Sequence, residues 1–341
     1  MPSSFLAGTA AAIGPPRHYS YAAVLLFIVL GRLFPAQAGL VLGVPLAVGM
    51  VALGVAHGAC DQLVVPAQAP ARNPLRTWRY WGRFLAGYLG LAAVVGLFWW
   101  QWPAATVALF FLLTIWHWGS ADAPELNQIP VAGWLSHSLL RGMLLFAVPA
   151  AWWPTETASI VNDLLRFTGA RPVSLSTFQA VAGGLGMLVA AGHGLLWLWY
   201  ALDGRWGLLL RELTELLVLA ALLLLLPPRW SVVVYFVFWH SLQHVLRLTG
   251  WLGYAGSSVP ARRALLPQLW FYLRQAAPLL LLSCVALLGL GWMLAGRLPD
   301  ASAWFSLALV VASIVTLPHA LLVTLVMDAP QWLRAATRPV A

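Results

Sequence analysis

The 341-residue sequence contains no lysine, and its 19 basic residues are all arginine. Charged residues make up only 9% of the chain, whereas a soluble domain carries about 25%. This shortage excludes an ordinary soluble domain, and the missing lysine excludes a Schiff base on a lysine side chain of this chain. The two cysteines, Cys60 and Cys284, both lie inside apolar segments, so a disulfide framework is excluded as well.

The rest of the composition is typical of a membrane protein, with 61% hydrophobic residues and 20 tryptophans. A membrane-spanning helix needs about 20 apolar residues. Ten segments approach this length, at about 19–34, 39–65, 78–100, 103–120, 131–151, 173–201, 206–226, 230–249, 272–294 and 301–327. We therefore predict an all-α, polytopic membrane bundle of about ten transmembrane helices, with residues 1–341 forming a single domain.

The placement of arginines predicts how the bundle is oriented. If the N-terminus is inside, twelve arginines fall on the cytoplasmic side and five on the opposite side. Because positive charge favours the cytoplasm, both the N-terminal extension (1–18) and the C-terminal tail (328–341) are predicted to be cytoplasmic. The first 18 residues lack the features of a signal peptide. The net charge of +9 is thus expected to set topology in the inner (plasma) membrane rather than to bind nucleic acid.

His240 and His244 follow the apolar run 231–239, four residues apart. This spacing places both imidazoles on the same face of a helix. Ionisable side chains inside a membrane are costly and usually face a functional site. An H-x-x-x-H pair can give a metal two nitrogen ligands, and the alternative is packing through interhelical hydrogen bonds.

Seven of the eight histidines fall within the predicted spans and at a similar depth. They are His57, His117, His137, His193, His240, His244 and His319. Neutral imidazoles without a carboxylate ligand suit Fe, Cu, Zn or Ni rather than Mg or Ca. Each isolated histidine also has a simpler interpretation, in which it donates a hydrogen bond to a neighbouring helix.

Two carboxylates are candidates for supporting such a site. Asp61 lies one turn beyond His57 and is expected either to hold the second N–H of an imidazole or to cap a helix end. Glu215, among leucines, is expected either to support a metal ligand or to form an interhelical hydrogen bond.

Three motifs resemble those of the Brp/Blh membrane proteins, the bacterial and archaeal β-carotene 15,15′-dioxygenases. The motifs are His57-Gly-x-x-Asp61, Trp116-His117-Trp118-Gly119 and Tyr235-Phe-x-x-Trp239-His240-Ser-x-x-His244. Arg141-Gly142 and Thr316-Leu-Pro318-His319 also match, and the resemblance runs from about residue 51 to 326.

The resemblance implies that the central double bond of β-carotene is cleaved by O₂ into two retinals. It also implies a Fe(2+) ion held by His57, His117, His240 and His244. His137, His193 and His319 are not carried over as ligands, and we expect packing or supporting roles for them. Relatives supply retinal to a microbial rhodopsin; this chain is not itself one, because it has no lysine.

Selection of the central bond would depend on a tunnel with aromatic walls that holds the rigid polyene. The candidate wall residues are Trp116, Trp118, Tyr235, Phe236 and Trp239. Ordinary packing is the alternative for each, since aromatic residues are abundant throughout the chain.

Other classes of protein remain open as alternatives. A membrane di-iron desaturase or hydroxylase acting on a lipid needs several histidine boxes, whereas this chain has one H-x-x-x-H and no adjacent histidines. A bis-histidine haem carrier is a further possibility. The non-catalytic alternative is a transporter in which the histidines form a proton relay without iron.

Overall fold

The computed structural model describes residues 17–68, 78–124, 128–254 and 264–329, and every regular element in these ranges is helical. In chain order the helices are α1 (His18–Leu33), α2 (Pro35–Gly58), α3 (Asp61–Gln68), α4 (Trp78–Gln101), α5 (Pro103–Asp122), α6 (Val131–Trp152), α7 (Pro154–Phe167), α8 (Leu175–Leu202), α9 (Trp206–Leu225), α10 (residues 228–251), α11 (Leu265–Leu294) and α12 (Ala301–Asp328). The predicted terminal segments, 1–18 and 328–341, lie almost entirely outside the described residues.

The helix boundaries follow from local sequence. Proline occupies the first turn of α5, α7 and α10, where its missing N–H would have no partner in the helix. The side chain of Ser174 caps α8 by accepting a hydrogen bond from the Thr177 amide at 3.1 Å. Glycines with positive φ follow α7, α8, α10 and α11, namely Gly169, Gly204, Gly253 and Gly296.

Seven helices in the described ranges are long and apolar enough to cross a membrane: α2, α4, α5, α6, α8, α11 and α12. The remaining three predicted spans do form helices, at α1, α9 and α10, but differ in character. Helix α1 has only 16 residues, α9 carries Arg211, Glu212 and Glu215, and α10 carries several polar side chains, among them Arg229, His240, His244 and Arg247. The structure therefore supports a helical membrane bundle with seven clear candidate spans in place of ten.

Helices α2 and α10 form the centre of the packing. One apolar cluster joins them to α1, α6, α8 and α9, around the fully buried Trp239. A second apolar cluster joins the same two helices to α3, α11 and α12, around the fully buried Tyr272. Histidines on α2 and α10 therefore lie where the two halves of the core meet.

Helices α5 and α6 approach each other closely through a pair of glycines. A Cβ atom added to Gly119 would lie 1.8 Å from the Ser138 carbonyl oxygen, and one added to Gly142 would lie 1.9 Å from the Ile115 carbonyl oxygen. Both distances are far below the 3.0 Å at which real Cβ contacts begin. The obstacles are backbone atoms, which cannot move aside as a side chain can. This crossing positions His117, two residues before Gly119.

A buried group of charges joins α1, α5, α6 and α9 to α10. The Asp122 carboxylate accepts hydrogen bonds from Trp239 Nε1 at 2.9 and 3.0 Å and from the Tyr235 hydroxyl at 3.2 Å. Arg141 Nε lies 3.9 Å from Asp122, and Arg17 donates to the Asp122 carbonyl at 3.0 Å. The buried negative charge of Asp122 is thereby compensated, and the helix bearing His117 is tied to the helix bearing His240.

We expect Gly119→Ala to destabilise the protein by about 1–3 kcal/mol, because its methyl group forces α5 and α6 apart. Thermal unfolding in detergent would measure the change. Gly90→Ala on α4 is the matched control, since its Cβ meets nothing within 4 Å. Equal melting temperatures for the two variants would contradict the close helix crossing.

Asp122→Asn is expected to lower the free energy of unfolding by about 1.5–3 kcal/mol, because the buried Trp239 and Tyr235 donors lose a charged acceptor, whereas Arg17 and Arg141 keep Glu215. Denaturant titration in mixed micelles would measure it. Asp203→Asn is the control: this carboxylate is 43% exposed and pairs with Arg205 at the surface, so about 0–1 kcal/mol is expected. A comparably small loss for Asp122→Asn would show that Asp122 does not hold these helices together.

Candidate metal centre

Five histidines from four helices converge in the interior of the bundle. They are His57 of α2, His117 of α5, His240 and His244 of α10, and His319 of α12. Their ring centroids lie 4.8–6.5 Å apart in eight contacting pairs. The structure thus brings together the four histidines predicted as ligands; their role as ligands stays a prediction. It adds His319, which was expected only to pack or to support.

The tightest part of the cluster has the spacing of a metal site. One ligand atom each from His57, His117 and His240 lies within 4.8 Å of the other two. Two imidazole nitrogens on opposite sides of one metal ion would be about 4.2 Å apart, since each bond is about 2.1 Å. Small side-chain movements would therefore allow all three nitrogens to reach a common ion.

Three π-helical segments flank the cluster. Met50–Val55 leads to His57, Tyr235–Ser241 contains His240, and Val323–Asp328 follows His319 by one turn. A π-helical turn is rare and is found frequently at functional sites, because it widens the helix and redirects side chains. Sequence periodicity alone does not reveal these segments.

Hydrogen bonds on the outer side of two imidazoles orient their other nitrogen inward. His57 Nδ1 lies 2.5 Å from the Gly54 carbonyl oxygen, which only accepts, so Nδ1 carries the proton. His319 Nδ1 lies 2.9 Å from both oxygens of Asp61 and donates to that carboxylate. In both residues Nε2 is then left with a free lone pair, the form that ligates metals.

The buried nitrogens of the cluster fit a divalent metal ion. In the described part of the chain, no hydrogen-bond partner is found for Nε2 of His117, His244 and His319 or for either nitrogen of His240. Buried polar atoms are nearly always paired in native proteins, so this concentration of lone pairs is unusual. Nitrogen donors alone suit Fe, Cu, Zn or Ni.

The two carboxylates singled out from the sequence have different partners. Asp61 is buried and contacts His319 rather than its neighbour His57, and it also accepts a hydrogen bond from Tyr88 at 3.1 Å. Glu215 pairs with Arg17, Arg141 and Arg211. Since Glu215 lies in the buried charge group, the structure favours its interhelical role over support of a metal ligand.

The five aromatic candidates for tunnel walls divide by what they contact. Phe236 lies 5.6 Å from the His57 ring and 6.1 Å from the His240 ring, and Trp118 lies 5.7 Å from His240. Tyr235 and Trp239 instead donate to Asp122. Only Phe236 and Trp118 therefore face the histidines directly, whereas Tyr235 and Trp239 link helices.

Trp116 lines a groove at the surface of the bundle. Its indole nitrogen donates to Thr324 at 3.3 Å. Together with Val131, Trp134 and Leu135, these residues surround a cavity of about 300 Å³ between α5, α6 and α12. Leu135 is 39% exposed on the outer surface of the bundle, so the groove opens toward the surroundings of the helices.

The other two buried histidines form a separate site with Glu212. His137 Nε2 lies 3.4 Å and His193 Nε2 4.0 Å from the Glu212 carboxylate, which also pairs with Arg141 at 3.5 Å. The positive charge of Arg141 beside Glu212 disfavours the binding of a metal cation, so we assign no metal to this site. The sequence analysis did not identify Glu212 and Asp122 as buried charges. The feature that could have indicated them is the position of each carboxylate, within an apolar span for Glu212 and at the end of one for Asp122.

Comparisons with known proteins identify the family of this chain. Residues 48–327 match the family model described as beta-carotene 15,15'-dioxygenase. The chain is also 28% identical over 302 residues to the probable beta-carotene 15,15'-dioxygenase Blh of Halobacterium salinarum, covering 82% of this chain and 83% of that protein. No solved structure matches the chain significantly.

The matched region begins before His57 and extends beyond His319, so it includes all five clustered histidines. It covers well over half of the chain. The protein therefore belongs to the Brp/Blh family of β-carotene 15,15′-dioxygenases.

Proposed function

We propose that this protein cleaves the central double bond of β-carotene with O₂, giving two molecules of retinal. Fe(2+) would be held by His57, His117, His240 and His244. The observation that carries the proposal is the convergence of buried imidazoles, with free inward nitrogens, inside a membrane bundle of this family. Nitrogen ligands fit iron, and family membership favours iron over the other metals that suit them.

The chemistry places few demands on protein acids or bases. One C=C bond and the O=O bond are broken and two C=O bonds form, so no external electrons or protons are consumed. Bound Fe(2+) would supply the activation of O₂. The chain's own residues hold the ligands, exclude water and orient the polyene, and the apolar clusters on both sides of α2 and α10 provide this dry setting.

Phe236 and Trp118 are the residues best placed to orient the substrate. Phe236, His240 and His244 follow one another at four-residue intervals on α10, and their rings stack with interplanar angles of 18° and 13°. Phe236 therefore lies on the opposite side of His240 from His244. Trp118 contacts Phe236 at 5.9 Å, and the two rings form an apolar surface against which a flat polyene can stack.

The groove lined by Trp116 and Trp134 is proposed as the entry path from the lipid. It lies between α5, α6 and α12, two of which carry the proposed ligand His117 and its neighbour His319. Its walls are mainly apolar, as a carotenoid requires.

We further propose that the whole chain is one multi-pass domain of the plasma membrane in which all ten predicted helices cross and both termini are cytoplasmic. Helices α9 and α10 would cross with their polar residues facing the bundle interior, where Glu212, Glu215 and His240 are buried. Retinal released into the bilayer would be available to a lysine-bearing acceptor such as a microbial rhodopsin.

Expression in β-carotene-producing cells is expected to bleach the pigment and produce retinal, and the purified protein should contain iron. Unchanged carotene in the presence of correctly folded, iron-containing protein would contradict the proposed reaction. Folded protein without iron would favour a histidine proton relay instead.

The variants His240→Ala and His244→Ala should reduce iron content and retinal formation at least about tenfold while the protein remains in the membrane, because each removes a ligand. Elemental analysis and retinal quantification would measure both losses. His18→Ala, at the exposed start of α1, is the control. If either ligand variant retained full turnover, that histidine would be removed from the site.

Phe236→Ala should keep iron bound but decrease kcat/KM about 2- to 10-fold, the equivalent of about 0.5–1.5 kcal/mol of lost aromatic contact. A larger share of products cleaved away from the central bond is also expected. Chromatography of the apocarotenals would measure the product distribution. Phe98→Ala, on the outer surface of α4, should behave as wild type; an identical result for Phe236→Ala would exclude a substrate contact.

A further inference from the structure

The ring of His319 lies as close to other rings of the histidine cluster as the rings of the four proposed ligands do, although the tightest group of nitrogen atoms is that of His57, His117 and His240. His319 is 4% exposed, and its ring lies 4.8 Å from His57, 5.0 Å from His117 and 5.2 Å from His244. Each of these distances is shorter than the 6.4 Å that separates His240 from His244. A histidine that only filled space at the edge of the cluster would not be expected to contact three of its members so closely.

Asp61 and Tyr88 hold His319 in the orientation of a ligand. The Asp61 carboxylate lies 2.9 Å from His319 Nδ1 through both of its oxygens, and the Tyr88 hydroxyl donates to Asp61 at 3.1 Å. In the neutral imidazole with its proton on Nδ1, Nε2 carries the lone pair, and Nε2 of His319 is buried without a partner in the described part of the chain. Metal-bound histidines usually have such a carboxylate on their second nitrogen.

The contacts among the five rings indicate a common centre. His57, His240, His117 and His319 form a closed cycle, with successive centroid distances of 5.7, 4.9, 5.0 and 4.8 Å. His244 contacts all four members of the cycle, at 5.2–6.5 Å. Without His319 the cycle is open on the side of Asp61.

We infer that His319 is a fifth ligand of the metal ion, with Asp61 and Tyr88 as its positioning residues. The inference rests on the proposed metal site and extends it. Five imidazoles leave a six-coordinate ion a single position for an exogenous ligand, whereas four leave two. The carotenoid would then stay outside the coordination sphere.

The number of imidazoles on the metal can be counted directly. The purified full-length protein in detergent would be loaded with Co(2+), and X-ray absorption would count the imidazole ligands, with visible spectroscopy reporting coordination number and affinity. The wild type should show five imidazoles. His319→Ala should show four and bind Co(2+) about 10–100-fold more weakly, while Asp61→Asn and Tyr88→Phe keep five and bind more weakly.

His193→Ala is the matched control, because His193 is buried to a similar extent (3%) and also donates from Nδ1, at 2.9 Å to Val189, but lies beside Glu212. It should bind Co(2+) as the wild type does. Added imidazole should restore the wild-type spectrum to His319→Ala. If His319→Ala does not fold, the number of imidazole ligands on Co(2+) in the wild type still decides between a four-histidine and a five-histidine site.

The outcomes separate this inference from the proposed function. Four imidazoles in the wild type, or equal counts and affinities in wild type and His319→Ala, would overturn the role of His319 and leave the four-histidine site in place. A folded wild-type protein that binds no Co(2+) or iron would overturn the proposed metal site itself.

Discussion

The central constraint on this protein is the presence of unpaired imidazole nitrogens inside an apolar bundle. A buried polar atom without a partner opposes folding. Five histidines nevertheless converge; His57 and His319 donate from Nδ1 to the Gly54 carbonyl and the Asp61 carboxylate, and Nε2 of His319 is left without a partner in the described residues. The proposed divalent metal ion would accept one lone pair from each ligand ring. Much of the fold can be understood as the means of holding these rings together.

Two devices hold the histidine-bearing helices in place. Gly119 and Gly142 allow α5 and α6 to pack backbone against backbone beside His117. Asp122, compensated by arginines, ties the end of α5 to α10 through Trp239 and Tyr235. The π-helical segments then turn individual side chains toward the centre. Closely packed helices are thus combined with π-helical distortions beside the clustered histidines, as a preorganised site requires.

The sequence was sufficient to predict the helices and most of the histidine cluster, since length, apolarity and the H-x-x-x-H spacing are local features. It was not sufficient for partners far apart along the chain. Asp61 and His319 are 258 residues apart, so a single sequence does not reveal that they meet. Glu215 was placed in the correct helix, but its partners Arg17 and Arg141 on two other segments were not foreseeable. Seven histidines were predicted to lie at a similar depth in the membrane, which does not decide which of them meet; five form the cluster, and His137 and His193 lie beside Glu212 instead.

The most direct test is an anomalous difference map at the iron absorption edge from crystals of the purified protein. We expect one strong peak per chain among His57, His117, His240, His244 and His319. A map without that peak from iron-loaded protein, or a peak beside Glu212 instead, would contradict a histidine-bound iron as the centre of this fold.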